Sequence, residues 1–363
     1  MSSDAVVAEL KPAPAGEWGY RAPWWLPGGN MQTIWSALWA RRHAGAAPTF
    51  QRERWNTPDG DFVDVDFAAA PVGSVDPVTP VTPTAPMLVL FHGLEGSSAS
   101  QYAQAFAHVA AERGWSYAVP HFRGCSGEMN LAPRAYHSGD HQEIDWILRR
   151  LKDREPQRPL LAVGISLGGN ALLRWAAEQG HAAANVVQAV SAVSSPIDLG
   201  AAGRAIDQGF NRLVYARMFL RSMQPKAVAK WRQFPGLFDL DAVLTARTLF
   251  DFDNAFTAPL HGFRDTPHYW EAASAKPRLQ SIRVPALVLN AQNDPFVPVA
   301  SLPRPGEWAG GPVVLQQPAH GGHAGFVAAR HARDVRGHVM AMPDHVASWL
   351  AAAAGLPALR GSC

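Results

Sequence analysis

A serine between glycines, Gly164-Ile165-Ser166-Leu167-Gly168, directly follows the apolar run Leu160-Leu161-Ala162-Val163. A serine hydroxyl is a weak nucleophile until a base takes its proton, and it reacts only if it stands clear of the chain. This spacing meets the second condition. A strand that turns sharply into a helix leaves Ser166 at the tip of the turn, and Gly164 and Gly168 leave room for backbone to pass close by. The helix is read over Asn170-Ala171-Leu172-Leu173-Arg174-Trp175-Ala176-Ala177-Glu178 and stops at Gly180, a residue suited to the C′ position. Its N-terminus points partial positive charge at the serine.

The first condition needs a base held in one tautomer by a third group, usually a carboxylate. Around such an elbow the partners follow in the order Ser, Asp or Glu, His. Asn290-Ala291-Gln292-Asn293-Asp294-Pro295 follows a strand and offers Asp294 as the acid. His320-Gly321-Gly322-His323-Ala324-Gly325-Phe326 follows the next strand and offers the base. The two glycines between His320 and His323 make the loop pliable, so spacing alone does not choose between them. A tetrahedral oxyanion needs two backbone donors. One is expected from the amide of Leu167, next to the nucleophile. The other is expected from Leu94 in the loop Phe91-His92-Gly93-Leu94-Glu95-Gly96-Ser97-Ser98. With no Gly-Lys-Ser/Thr and no GxGxxG, that loop is not read as a nucleotide site.

The elements that must position these residues alternate. Phe50 to Phe67 reads as a hairpin turning at Pro58-Asp59-Gly60. Strands are read at Met87–Phe91, Trp115–Pro120, Leu160–Ile165, Val186–Val193, Ala286–Asn290 and Val313–Leu315. Helices are read at Ser98–Gly114 and Asp140–Arg154, the second with Asp140 and Glu143 at capping-box spacing. Alternating strands and helices imply a doubly wound, mostly parallel α/β sheet. Residues 1–16 read as disordered, 17–48 as a Trp-, Gly- and Pro-rich segment, and Pro71–Pro86 as an aperiodic loop. The alternation breaks between Pro196 and Lys276, where helical segments rich in aromatics form an insertion. The division expected is a core over 17–195 and 277–355 and a helical cap over 196–276. Aromatics in such an insertion are first of all its core, and Phe252 and Trp270 are also candidates to line an acyl pocket.

The 363 residues are 47% apolar and carry a formal net charge of +2, with no long run of either sign. That offers no nucleic-acid face and no polybasic run for a membrane, although peripheral contact with a lipid surface stays open. Cys125 and Cys363 make no disulfide framework. No run approaches about 18 apolar residues, and Met1–Gly16 lacks a signal-peptide pattern, so a cytoplasmic location is expected. His137 and His141 flank Asp140 at i, i+4, but a helix start explains them without a metal, and no third ligand stands near. Cys125 reads as a small packed residue in a Gly-rich turn that Arg123 and Glu128 brace.

Several motifs together resemble the YheT-like branch of the α/β-hydrolases. They are His92–Ser98, Phe122-Arg123-Gly124-Cys125-Ser126-Gly127-Glu128-Met129-Asn130, Tyr136-His137-Ser138-Gly139-Asp140, Gly164–Asn170 and His320–Phe326. Within 196–276, Phe252-Asp253, Thr257, Gly262-Phe263 and Tyr269-Trp270 are similar to that branch's insertion. Gly29-Asn30-Met31-Gln32-Thr33 is similar to its N-terminal signature, with Asn30 where a histidine is more usual. The resemblance covers roughly residues 20–350. It implies an α/β-hydrolase fold with an inserted helical cap and a serine esterase or lipase-like activity on carboxylic esters, some of them lipid esters. It also implies the triad Ser166, Asp294 and His323. Hydrolysis through that triad is expected to need no cofactor and no metal. An acyltransferase with the same triad and a non-catalytic ligand-binding protein on the same fold are the alternatives. Dehalogenases and epoxide hydrolases use an Asp nucleophile where this chain has Ser166.

Overall fold

Eight strands form one sheet: β1 (Phe50–Asn56), β2 (Phe62–Ala68), β3 (Met87–Phe91), β4 (Ser116–Pro120), β5 (Leu160–Ile165), β6 (Ala189–Val193), β7 (Ala286–Leu289) and β8 (Val313–Gln316). Their spatial order is β1-β2-β4-β3-β5-β6-β7-β8. The first hairpin pairs antiparallel and joins β4 antiparallel, and every later pair is parallel. Gly60 takes φ +76° in the hairpin turn, a conformation that glycine adopts without a Cβ penalty. The computed structural model describes residues 17–69, 85–304, 311–329, 331 and 333–357. The N-terminal tail, most of the Pro71–Pro86 loop and Cys363 lie outside the described residues.

Alternation along β3 divides the core into two layers. Met87, Val89 and Phe91 join an apolar cluster with Ile144, Leu148 and Leu151 of α3 (His141–Arg154) and Leu172 and Trp175 of α4 (Leu167–Gln179). Leu88 and Leu90 join a second cluster with Phe106 of α2 (Gln101–Glu112) and Trp349 and Leu350 of the C-terminal helix Ala341–Ala353. A strand buried on both faces reads as a continuous apolar run, as Met-Leu-Val-Leu-Phe does. Between β6 and β7 the chain is helical and contains no strand. That stretch carries an apolar cluster of its own, including Leu220, Phe238, Val243, Phe252 and Phe256.

Three expectations change. The strand expected from Val186 starts at Ala189, because Val186 and Val187 close the 3-10 turn Gly180–Asn185 by bonding to Ala183. The capping box at Asp140 and Glu143 does not form: the Asp140 side chain caps no amide, and its carboxylate pairs with Arg134. Glu143 pairs instead with Arg123 at 2.5 Å. The Trp- and Gly-rich segment, read without an element, holds the helix α1 (Gly28–Leu38).

Candidate active site

The parallel strands point their C-terminal ends to one edge of the sheet, and the loops after β3, β5, β7 and β8 gather there, where open α/β sheets bind their ligands. Ser166 is the single residue between β5 and α4 and takes φ +53°, ψ −119°. Positive φ is costly for a residue with a Cβ, so the surroundings must enforce it. They do so by close packing. A Cβ on Gly164 would lie 2.4 Å from the Gly168 carbonyl oxygen, and one on Gly168 would lie 2.4 Å from the Phe91 carbonyl oxygen. The glycines of the motif let α4 fold back onto β5 and β3.

His323 Nε2 lies 2.9 Å from Ser166 Oγ. Its Nδ1 faces both Asp294 oxygens, at 2.9 and 3.1 Å. The Asp294 side chain is fully buried, and its Oδ1 also accepts from the amides of Phe296 at 2.8 Å and Val297 at 3.2 Å. The carboxylate therefore cannot rotate away from the imidazole. Phe296 stacks obliquely on the His323 ring, with centroids 4.3 Å apart. His320 stands exposed, and among the described residues its ring nitrogen approaches Asn293 Nδ2 at 3.5 Å. Of the two histidines in this loop, only His323 reaches Ser166.

The loop after β3 lies against the serine. A Cβ on Gly93 would come within 3.2 Å of Ser166 Cβ. The amides flanking Leu94 are occupied: Gly93 donates to Tyr102 Oη at 3.0 Å and Glu95 to Tyr136 Oη at 2.9 Å. His92 is fully buried, and burial pushes its pKa down to about 3. It is therefore the neutral imidazole, and its Nε2 accepts from the Phe122 amide at 3.1 Å. The remaining proton sits on Nδ1 and is donated to the Gly93 carbonyl at 2.8 Å, which sets the course of the backbone just before Leu94. Sequence reading gave His92 no role of its own.

Leu94, Ser166 and Leu167 share a cavity of about 150 Å3 with residues of the helical stretch, among them Phe219, Met223, Phe252, Phe256 and Trp270. Its wall is mainly apolar. Phe252 and Trp270 are both buried in it, so each belongs to the wall and to the packing of the stretch.

Residues 86–328 match the family described as alpha/beta hydrolase fold. The chain is 38% identical over 300 residues to YheT of Escherichia coli (strain K12), classed as an esterase by inference; the match spans 82% of this chain and 84% of YheT. The chain belongs to the α/β-hydrolase family, as a YheT-like member. It is also 30% identical to phospholipase ABHD3 of Mus musculus over 66% of this chain, a span of 58% of that relative's length. A puromycin-hydrolyzing peptidase of Mycobacterium tuberculosis superposes with TM-score 0.55 at 16% identity, over 86% of this chain and 41% of that one, a likeness of fold alone.

In this YheT-like hydrolase the histidine loop is built on α1, a support that sequence reading missed. The buried Gln32 side chain accepts from the Gly321 amide at 2.8 Å and from Asn293 Nδ2 at 3.0 Å, and donates to the Leu26 carbonyl at 2.9 Å. Thr33 Oγ1 accepts from the His323 amide at 2.8 Å and donates to the Gly29 carbonyl at 2.7 Å. Contact is close enough that a Cβ on Gly29 would lie 1.8 Å from the Asn293 carbonyl oxygen. Asn30 accepts from Tyr215 Oη at 2.9 Å, tying α1 to the helical stretch. Thr33 and Gln32 are thus positioning residues for the loops that carry His323 and Asp294. Thr33→Val keeps the shape but removes the acceptor for the His323 amide. The expected result is a kcat loss of about 10- to 100-fold with KM nearly unchanged, restored by Thr33→Ser. Steady-state kinetics on one short ester checks this; a change in KM alone would deny the positioning role.

The remaining candidates divide between structure and wall. Arg123 bonds to Asp59, Asp61 and Glu143 at 2.5 to 2.8 Å, and Glu128 pairs with Arg54 at 3.0 Å, so both brace the turn against the first hairpin and α3. His137 packs on His261, Phe263 and Tyr269, and burial lowers its pKa to about 4. Its Nδ1 accepts from the Gly139 amide at 3.1 Å, as a neutral ring can. Among the described residues no cluster of three or more His, Cys, Asp or Glu could hold a metal. Cys125 lies 3.6 Å from Lys226 Nζ, and burial raises its thiol to about 11, away from a reactive thiolate. Lys226 also pairs with Glu95 at 2.9 Å, joining the helical stretch to the loop after β3. Burial raises the Asp253 carboxyl in the cavity wall to about 6, although it accepts from Thr257 Oγ1 at 2.7 Å and Trp270 Nε1 at 2.8 Å.

Proposed function

We propose that this protein is a serine hydrolase that cleaves carboxylic esters through an acyl-serine intermediate. The observation that carries this reading is the unbroken hydrogen-bonded line from Asp294 through His323 to Ser166, ending in an apolar cavity. Ser166 Oγ attacks the ester carbonyl while His323 Nε2 takes its proton. Asp294 accepts the hydrogen bond from His323 Nδ1–H, which fixes the tautomer, and stabilises the imidazolium. The amides of Leu94 and Leu167 receive the oxyanion, aided by the N-terminus of α4. His323 then returns the proton to the leaving alcohol, the C–O bond breaks, and water repeats the sequence on the acyl-serine.

In this reading residues 196–276 are a cap over a core made of 17–195 and 277–355. The substrate is an ester with an apolar acyl group, lipid esters included. The cavity wall supports this, as do relatives named esterase and phospholipase. A series of p-nitrophenyl esters from acetate to palmitate tests the proposal: hydrolysis is expected, and its absence at every chain length would reject an ester hydrolase.

The same series tests the cap. Phe252 lines the cavity, and Phe252→Ala opens its wall. The expected result is a shift of about 10-fold or more in kcat/KM toward longer acyl chains, with the acetate ester little affected. Equal loss at all lengths would make Phe252 packing alone. Trp270→Ala is a harder probe. It also strips the indole N–H from Asp253 and empties space packed against Gly203, where a Cβ would lie 2.3 Å from the ring.

A further inference from the structure

The segment Phe210–Arg221 is apolar on two sides. Its inner residues are accounted for: Tyr215 packs on Phe296, and Phe219 lines the cavity. Its outer side should be polar in a helix that meets only water. Instead Phe210, Leu213, Val214 and Met218 are 50, 65, 36 and 52% exposed. Arg212, Arg217 and Arg221 stand exposed among them, and none forms an ion pair with a carboxylate among the described residues. No acidic residue occurs between Gln208 and Arg221; Asp207, just before them, attracts Arg212, but its two oxygens accept from the amides of Leu249 and Phe250.

The three arginines are too far apart in sequence to register as a basic run. Local structure aligns them. Arg212–Ala216 is a π turn that leads straight into the helix Arg217–Gln233. The i→i+5 repeat of a π turn sets Arg212 in row with Arg217 and Leu213 in row with Met218, and the α-helix continues the row from Arg217 to Arg221. The result is a surface of apolar side chains interleaved with exposed guanidinium groups, on the outer side of a helix whose inner side borders the cavity.

We infer that this face docks on an anionic lipid surface. Guanidinium groups pair with phosphate and carboxylate headgroups, while Phe210, Leu213, Val214 and Met218 enter the boundary between headgroup and acyl chain. Charge complementarity favours this occupant over a second copy of the chain, whose identical face would set arginine against arginine. Among the described residues no helix is long and apolar enough to cross a membrane, so this contact would lie on the bilayer.

Co-sedimentation of the full chain with vesicles tests the inference without reference to hydrolysis. Binding is expected to phosphatidylcholine vesicles holding a third phosphatidylserine. It should be at least 10-fold weaker on phosphatidylcholine alone, and weaker in high salt. The triple variant Arg212→Gln, Arg217→Gln, Arg221→Gln should bind about 100-fold more weakly. Leu213→Ser with Met218→Ser should lose about 10-fold or more. Circular dichroism and Tm, both expected at wild-type level, establish that the variants fold. Failure of the wild type to sediment, or folded variants sedimenting like the wild type, would overturn the inference. So would a wild-type dimer that Leu213→Ser with Met218→Ser dissociates, since the face would then belong to a second copy.

Discussion

Ser166→Ala is expected to lower kcat for ester hydrolysis by about five to six orders of magnitude while the protein keeps its wild-type circular dichroism and Tm. The loss follows from chemistry: without Oγ no acyl-enzyme forms, and His323 has no hydroxyl to deprotonate. The stability follows from structure. Ser166 holds φ +53° because Gly164, Gly168 and Gly169 let α4 pack onto β5, and alanine meets the same packing. The hydroxyl contributes its contact with His323 Nε2 at 2.9 Å, which water can replace at the cavity floor. A variant with near wild-type kcat and an unchanged fold would remove Ser166 from the chemistry.

His323→Ala should fall on the same scale, and His320→Ala should stay within about 10-fold of wild type. His323 alone spans from Ser166 Oγ to Asp294, with contacts of 2.9 Å on each side. His320 is exposed, and the Asn293 amide it approaches at 3.5 Å already donates to Gln32 at 3.0 Å. Residues that act as one unit are strongly non-additive, so Ser166→Ala combined with His323→Ala should be no slower than either alone. The check is kcat/KM for the four variants and the wild type on one short ester. An inactive His320→Ala beside an active His323→Ala would reverse the assignment of the base, although a serine hydrolase would remain.

Much of this site is legible in the chain because its signals are local. The elbow needs glycine at fixed positions beside Ser166, and buried strands such as Met87–Phe91 announce themselves as apolar runs. The order Ser166, Asp294, His323 along the chain fits loops that gather at one edge of a parallel sheet. What stays hidden is carried by contacts far apart in sequence. Thr33 meets His323, and Gln32 meets Gly321, from a segment rich in glycine and tryptophan that shows no clear helical repeat. The capping spacing at Asp140 and Glu143 misleads for a related reason. Both carboxylates are taken by guanidinium groups from elsewhere in the fold, so tertiary pairing overrides the local signal. The valines at 186 and 187 look like strand because they are buried, but they are buried in the turn that leads to β6.

In the proposed mechanism Ser166 is a nucleophile activated by His323. Labelling with a fluorophosphonate probe, followed by mapping of the modified peptide, reads that property without any assumption about substrate. The wild-type protein should acquire one covalent phosphonyl group, located on Ser166, while Ser166→Ala acquires none and His323→Ala reacts far more slowly. A folded wild-type protein that resists the probe, or a label found on any other residue, would contradict the account.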